Sequence, residues 1–178
     1  MKMCIPAVLG SLAAFVAVGA VAAETKGSAC SLLTSSEIEA VTGAKAGPPT
    51  PMDMDMPAGP TKHETMYGCL YPVAANKGQV AISMGPLPPG LSAKTLAKQN
   101  AGMDALRAKH YKEEAKDFGD AFCSVMTPPA SDKDGIIMSA CSAGAKGMIV
   151  SVTFMSPTKG FSIDQTKALL DRAIRRVR

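Results

Sequence analysis

The sequence contains no C-x-x-C pair, no G-x-S-x-G, no H-E-x-x-H and no glycine-rich phosphate loop. The first absence argues against a thioredoxin-type redox site and a zinc ribbon. The others remove common nucleophile, zinc-peptidase and nucleotide-binding signatures. Histidine is scarce: only His63 and His110 occur. His110 falls at the end of an expected helix, where a cation complements the dipole. After residue 23 no run is apolar enough to span a bilayer. The net charge of +4 is too small to argue for nucleic acid. The chain is therefore expected not to be an enzyme, with no cofactor and no nucleic-acid partner.

What is present begins with an export signal. Lys2 supplies a positive start, residues 5–23 are largely apolar, and Ala20-Val21-Ala22 or Val21-Ala22-Ala23 fits an A-x-A-like exit. Residues 1–23 are expected to be a signal peptide and residues 24–178 a single disulfide-bonded domain. About 20 apolar residues could instead remain as an anchor, but the small-residue exit favours cleavage. Glu24 and Lys26 separate Cys30 from the apolar run, which argues against a lipid anchor there. The expected location is periplasmic or secreted, with no membrane span after signal removal.

Three helices and about five strands follow from local patterns. Thr34-Ser35-Ser36-Glu37 is a capping box and Gly43 a left-handed stop, so a helix is predicted over 35–42. The stretch 46–62 contains GPPTPMDMDMPAGP and is predicted to be a flexible Pro/Met-rich loop. MYGCLYPV and GQVAISMG read as a hairpin across an Asn/Gly turn. A second helix is expected over 92–109, with Leu96, Met103 and Leu106 as its apolar stripe and Ala93, Ala97 and Ala101 allowing close approach. Strands are expected over 121–126, 135–142 and 147–155. In the last, both alternate sets carry apolar residues, as in a central strand. Ser162 and Gln165 repeat the capping box and open the final helix. The expected fold is α+β, a mainly antiparallel sheet with three helices in the order α-ββ-α-βββ-α.

Cys4 lies in the signal, which leaves Cys30, Cys69, Cys123 and Cys141. In an oxidising compartment these are expected to pair. Cys123 and Cys141 occupy consecutive strands, where facing β-carbons stand about 4.5–5.5 Å apart, close to disulfide range. That leaves Cys30 for Cys69, closing a loop of about 40 residues worth roughly 3–4 kcal/mol in the chain-entropy account.

CSLLTSSEIEAVTG, then GCLY after a proline-rich gap, then DFGDAF before paired strands and a final helix, resembles a family of small exported bacterial proteins and lipoproteins of unknown function. That family opens its mature domain with a Cys-Leu-Leu-Thr helix. The resemblance covers most of 30–177. The family's tryptophan beside the second cysteine has no counterpart, because the chain has no Trp. The resemblance implies an α+β domain related in outline to Mog1/PsbP-like folds, and implies no catalytic residues.

One constellation could carry chemistry. Met52, Met54 and Met56 alternate with Asp53 and Asp55, and His63 and Met66 follow. Thioether sulfur suits Cu(I), and imidazole suits copper or zinc. The spacing resembles the methionine motifs of exported copper-handling proteins; the plainer reading is an exposed proline-rich loop. Asp132-Lys133-Asp134-Gly135 is too short for a calcium loop and reads as a turn. The run Glu113, Glu114, Asp117 and Asp120 reads as a solvated surface, and the C-terminal arginines as a solvated helix end. The functional expectation is a non-catalytic binding or interaction domain of the cell envelope, for a small ligand or an envelope protein. The alternative is a periplasmic copper-binding protein using the Met/His loop.

Overall fold

In a computed structural model, residues 28–57, 63–74, 78–107, 110–158 and 160–177 are described. The signal sequence and residues 58–62, the end of the expected loop, lie outside them. Ser28 caps a short 3-10 turn, Ala29–Ser31, which leads into α1, Ser35–Thr42. Both halves of the capping box form: Glu37 N–H donates to Thr34 Oγ1 at 3.3 Å and Thr34 N–H donates to Glu37 Oε2 at 2.9 Å. Gly43 ends the helix at φ +68, a conformation that costs glycine little.

Eight strands follow: β1 Thr50–Pro51, β2 Met54–Pro57, β3 His63–Val73, β4 Gly78–Pro86, β5 Lys112–Phe118, β6 Ala121–Thr127, β7 Ile137–Ala145 and β8 Met148–Ser156. The second helix, α2, spans Ala93–Arg107 and the third, α3, Ile163–Ile174. The class is α+β, but the sheet has eight strands instead of about five. Its order is β1-β3-β4-β8-β7-β6-β5, with β2 also on β3, and every pairing is antiparallel. The hairpin β3–β4 is followed by α2, and a four-strand meander returns β8 to lie beside β4.

The three additional strands are all at edges, where alternation gives little signal. Residues 46–57, expected as free loop, run beside β3. Gly47 N–H donates to the Pro72 carbonyl at 2.8 Å and Met52 N–H to that of Gly68 at 3.0 Å. Prolines are tolerated here because an edge strand needs donors on one side only. Gly68 permits the close approach: a β-carbon there would stand 2.5 Å from the Met52 carbonyl oxygen. At the opposite edge β5 is the charged run KEEAKDF, exposed except at Phe118. Its charges discourage pairing with another chain.

The sheet's first face is closed by α3 and by the segment from Ala29 to Ile38. Across it runs one register row: Cys123 faces Cys141, Cys141 faces Val152, Val152 faces Ile82, and Ile82 faces Cys69. Alternate positions on the same strands, among them Tyr71, Val80, Val150 and Phe154, are fully buried with Leu169 and Leu170 of α3. The Phe154 and Phe161 rings stack with centroids 3.5 Å apart. Ser139 and Thr166, buried polar residues in this layer, share a hydrogen bond of 2.7 Å. The structure bridges Cys30 to Cys69 and Cys123 to Cys141, with Cα separations of 5.0 and 4.0 Å. Both bridges lie on this face.

Candidate functional site

The second face differs chemically, because the residues alternating with the core set are small and hydroxylated. One row places Phe122, Ser142, Ser151 and Ser83 side by side; two residues along, Ser124, Ala140, Thr153 and Ala81 form the next. Helix α2 crosses this face over β6 and β7 and reaches β8. Ser92 caps it, accepting from Thr95 N–H at 3.0 Å. Ala93 and Ala97 are buried, and their small side chains let the helix approach β7 closely. Toward β4 and β3 the helix draws away, and the gap is a cleft of about 280 Å3.

The cleft floor carries five hydroxyl side chains: Ser83, Ser124, Ser142, Ser151 and Thr153. Ser142 and Ser151 share a hydrogen bond of 2.7 Å. Apolar groups close the ends, with Met66 and Ile149 at one and Met126 and Met138 at the other. Leu96, Ala97, Asn100 and Ala101 of α2 form the wall. Among the described residues no lining side chain is ionisable. Charges sit outside, where they hold the helix down. Lys94 and Lys98 contact Asp117 of β5 at 2.7 and 3.2 Å, and Lys94 Nζ donates to the Gly119 carbonyl at 2.9 Å. The two lysine hydrogen bonds lower the Asp117 pKa from its ordinary value. Lys98 also lies 5.5 Å above the Phe122 ring.

Sequence periodicity did not expose this site. Ser83, Ser142, Ser151 and Thr153 alternate with core residues as a solvated face does. The available signal was the recurrence of small hydroxyl residues on the same face of several strands, together with the alanine stripe of α2.

The expected metal set is only partly brought together. Met54 faces Met66 in the β2–β3 register, Met56 faces Glu64, and His63 faces Pro57. Met52 and Met54 are exposed, and Met66 is half-buried at the cleft. The side chains of Met56 and His63 lie outside the described part of the structure. Asp132 and Gly135 fold as turns, with Asp132 N–H donating to Pro129 at 2.9 Å. Among the described residues no group of three His, Cys, Asp or Glu could hold a metal ion.

The C-terminal arginines, expected as a solvated helix end, are in part structural. Arg176 forks onto Glu37 at 2.6 and 2.7 Å and donates to the Leu32 carbonyl at 3.2 Å, while Arg172 donates to the Glu37 carbonyl at 3.3 Å.

No family model matches the chain, and no curated protein does. Among solved structures, the extracellular domain of PknH from Mycobacterium tuberculosis is similar, with a TM-score of 0.53 at 14% identity, over 83% of this chain and 93% of that one. At that identity the likeness concerns the fold alone. The two disulfides fit a protein exported to an oxidising compartment. Among the described residues no helix is long and apolar enough to cross a membrane.

Proposed function

We propose that this chain is a cell-envelope binding protein that holds a small uncharged molecule in the cleft beneath α2. The observation that carries this reading is the lining: five hydroxyls between apolar ends, with no ionisable side chain among the described residues. Hydroxyls can hydrogen-bond neutral oxygen and nitrogen groups. An ion entering the same space would lose hydration without a counter-charge, which costs several kcal/mol. The volume, about 280 Å3, lies just below the usual range for small-molecule sites, which suits a small occupant. Binding suits this set better than catalysis, because a serine hydroxyl is a weak nucleophile without an adjacent base. A periplasmic or secreted location agrees with the disulfides, with the export signal and with an extracellular domain as a fold neighbour. The resemblance to small exported bacterial proteins supports the same placement.

The test uses two fluorophores that differ in charge, neutral N-phenylnaphthylamine and its anionic sulfonate, anilinonaphthalene sulfonate. The neutral probe should brighten on binding, and the sulfonate should bind at least roughly tenfold more weakly, since burying an unpaired charge is costly. Ala140→Phe, which fills the floor between Ser124 and Thr153, should abolish the response. Equal binding of the two probes, or an unchanged response in a folded Ala140→Phe protein, would sink the reading.

A further inference from the structure

Four large apolar side chains stand exposed among the described residues: Met52 at 46%, Met54 at 49%, Leu91 and Ile136. Two of the four are thioethers on the same sheet edge. Met54 directly opposes Met66 across β2 and β3. Opposed residues on antiparallel strands carry their β-carbons about 4.5–5.5 Å apart on one face, so two flexible thioethers can meet at one ion. Met52 flanks this pair. Its β-carbon lies 3.3 Å from the position a Gly68 β-carbon would take. Gly68 is two residues along β3 from Met66, hence on the same face of the strand.

We propose that Met52, Met54 and Met66 form a Cu(I) site at the rim of the cleft. Thioether sulfur is soft and uncharged, a match for Cu(I) and a poor one for magnesium or calcium, which take oxygen ligands. Asp53 and Asp55 interleave with the methionines, and no Lys or Arg occurs between Lys45 and Lys62. The local potential therefore favours a cation. The segment is also held before any metal arrives. Pro51 faces Cys69, which is bridged to Cys30, and Asp53 Oδ1 accepts from Gly68 N–H at 3.2 Å. Pre-ordering of this kind lowers the entropic cost of binding. His63 is not needed: in register it faces Pro57, three residues from Met66. The site shares only Met66 with the end of the cleft, and the proposal does not rest on what the cleft holds.

The experiment is a competition of the signal-free protein with bicinchoninate for Cu(I), under anaerobic ascorbate and without thiols, which would open the disulfides. One equivalent should bind. Leucine keeps the volume of methionine and removes its sulfur, so Met52→Leu with Met54→Leu should weaken binding roughly tenfold or more, the least that altering a metal's ligand environment usually costs. Met66→Leu should do the same. Metal-free melting curves of the variants should overlay that of the parent, showing that the fold is intact. X-ray absorption of the loaded protein should show sulfur neighbours. Failure of the parent protein to compete, or equal affinity in a folded Met52/Met54/Met66→Leu triple variant, would overturn the site. Ala140→Phe should leave Cu(I) binding unchanged, so failure here and failure of the cleft reading are separable.

Discussion

Removing one atom, the hydroxyl oxygen of Tyr71, should reveal how the N-terminal segment is fastened to the sheet. Tyr71 is fully buried in β3, and its hydroxyl reaches the Leu33 carbonyl at 2.6 Å and the Cys30 carbonyl at 3.1 Å. A phenol has one proton, so the shorter contact is the main hydrogen bond and the longer one shares it. Tyr71→Phe keeps the ring packing and leaves these carbonyls without that donor. An acceptor stranded in this way costs about 1–3 kcal/mol. For a chain of this length about 2 kcal/mol corresponds to a melting temperature lower by roughly 4–8 °C. The hydroxyl carries a second signature. Burial, with a smaller contribution from the Glu37 charge, pushes its pKa up to about 12 from 10.0. The folded state therefore keeps this proton while the unfolded chain gives it up. The stabilisation is fully present below pH 10 and is lost as pH rises toward 12. Paired thermal melts of the parent and Tyr71→Phe proteins from pH 7 to 11 read both effects. The gap should be several degrees at pH 7 and should narrow above pH 10, while the other tyrosines and lysines titrate alike in both proteins. A gap under about 1 °C at neutral pH, or one that stays constant above pH 10, would refute the reasoning.

Two further outcomes concern the same corner of the molecule. Burial of the Glu37 carboxylate opposes its ionisation but is outweighed by the hydrogen bonds from Arg176 and Thr34, so its pKa falls below 4.5. Its contribution is present above pH 4.5 and lost as pH drops through the lowered folded value. The melting-temperature gap between the parent protein and Glu37→Gln should therefore shrink in acid; a gap that widens there would contradict the ion pair. Opening the Cys30–Cys69 bridge with Cys30→Ala and Cys69→Ala releases a 39-residue separation. Loop entropy puts the cost at roughly 3–4 kcal/mol, or about 6–16 °C in melting temperature, and calorimetry showing no loss would place the stability of this corner elsewhere.

Local signals located the elements that they build. The Thr34/Glu37 and Ser162/Gln165 capping boxes and the Gly43 stop lie where the sequence puts them, because a cap is made by residues three apart. The Cys123–Cys141 pair follows from the neighbourhood of consecutive strands, and Cys30–Cys69 then follows by elimination. What was not legible is non-local. Pro48, Pro49 and Pro51 argue for loop, yet they run along an edge whose hydrogen bonds come from β3, some twenty residues on. The acidic residues of β5 read as surface, and they are surface, but on a strand ordered by β6. Arg176 finds Glu37 from 139 residues away. The cleft belongs to this class too: whether Ser142 and Ser151 face water or a wall depends on the path of α2, which no window around either serine contains.

The division of labour between the two faces shows how the proposed binding site would coexist with a small, well-held fold. The row from Cys123 through Cys141, Val152 and Ile82 to Cys69 points into the closed face. The adjacent register row, Phe122, Ser142, Ser151 and Ser83, points into the cleft. Each floor hydroxyl is thus one residue removed from a core or disulfide position, so the packing that stabilises the protein also sets where the hydroxyls stand. The wall is held less firmly. On its outer side α2 is tied by exposed lysine contacts to Asp117, and exposed ion pairs contribute little to stability. On the proposed reading, a rigid floor with a lightly fastened wall would let the cleft adjust to an occupant while the donors and acceptors that select it stay fixed.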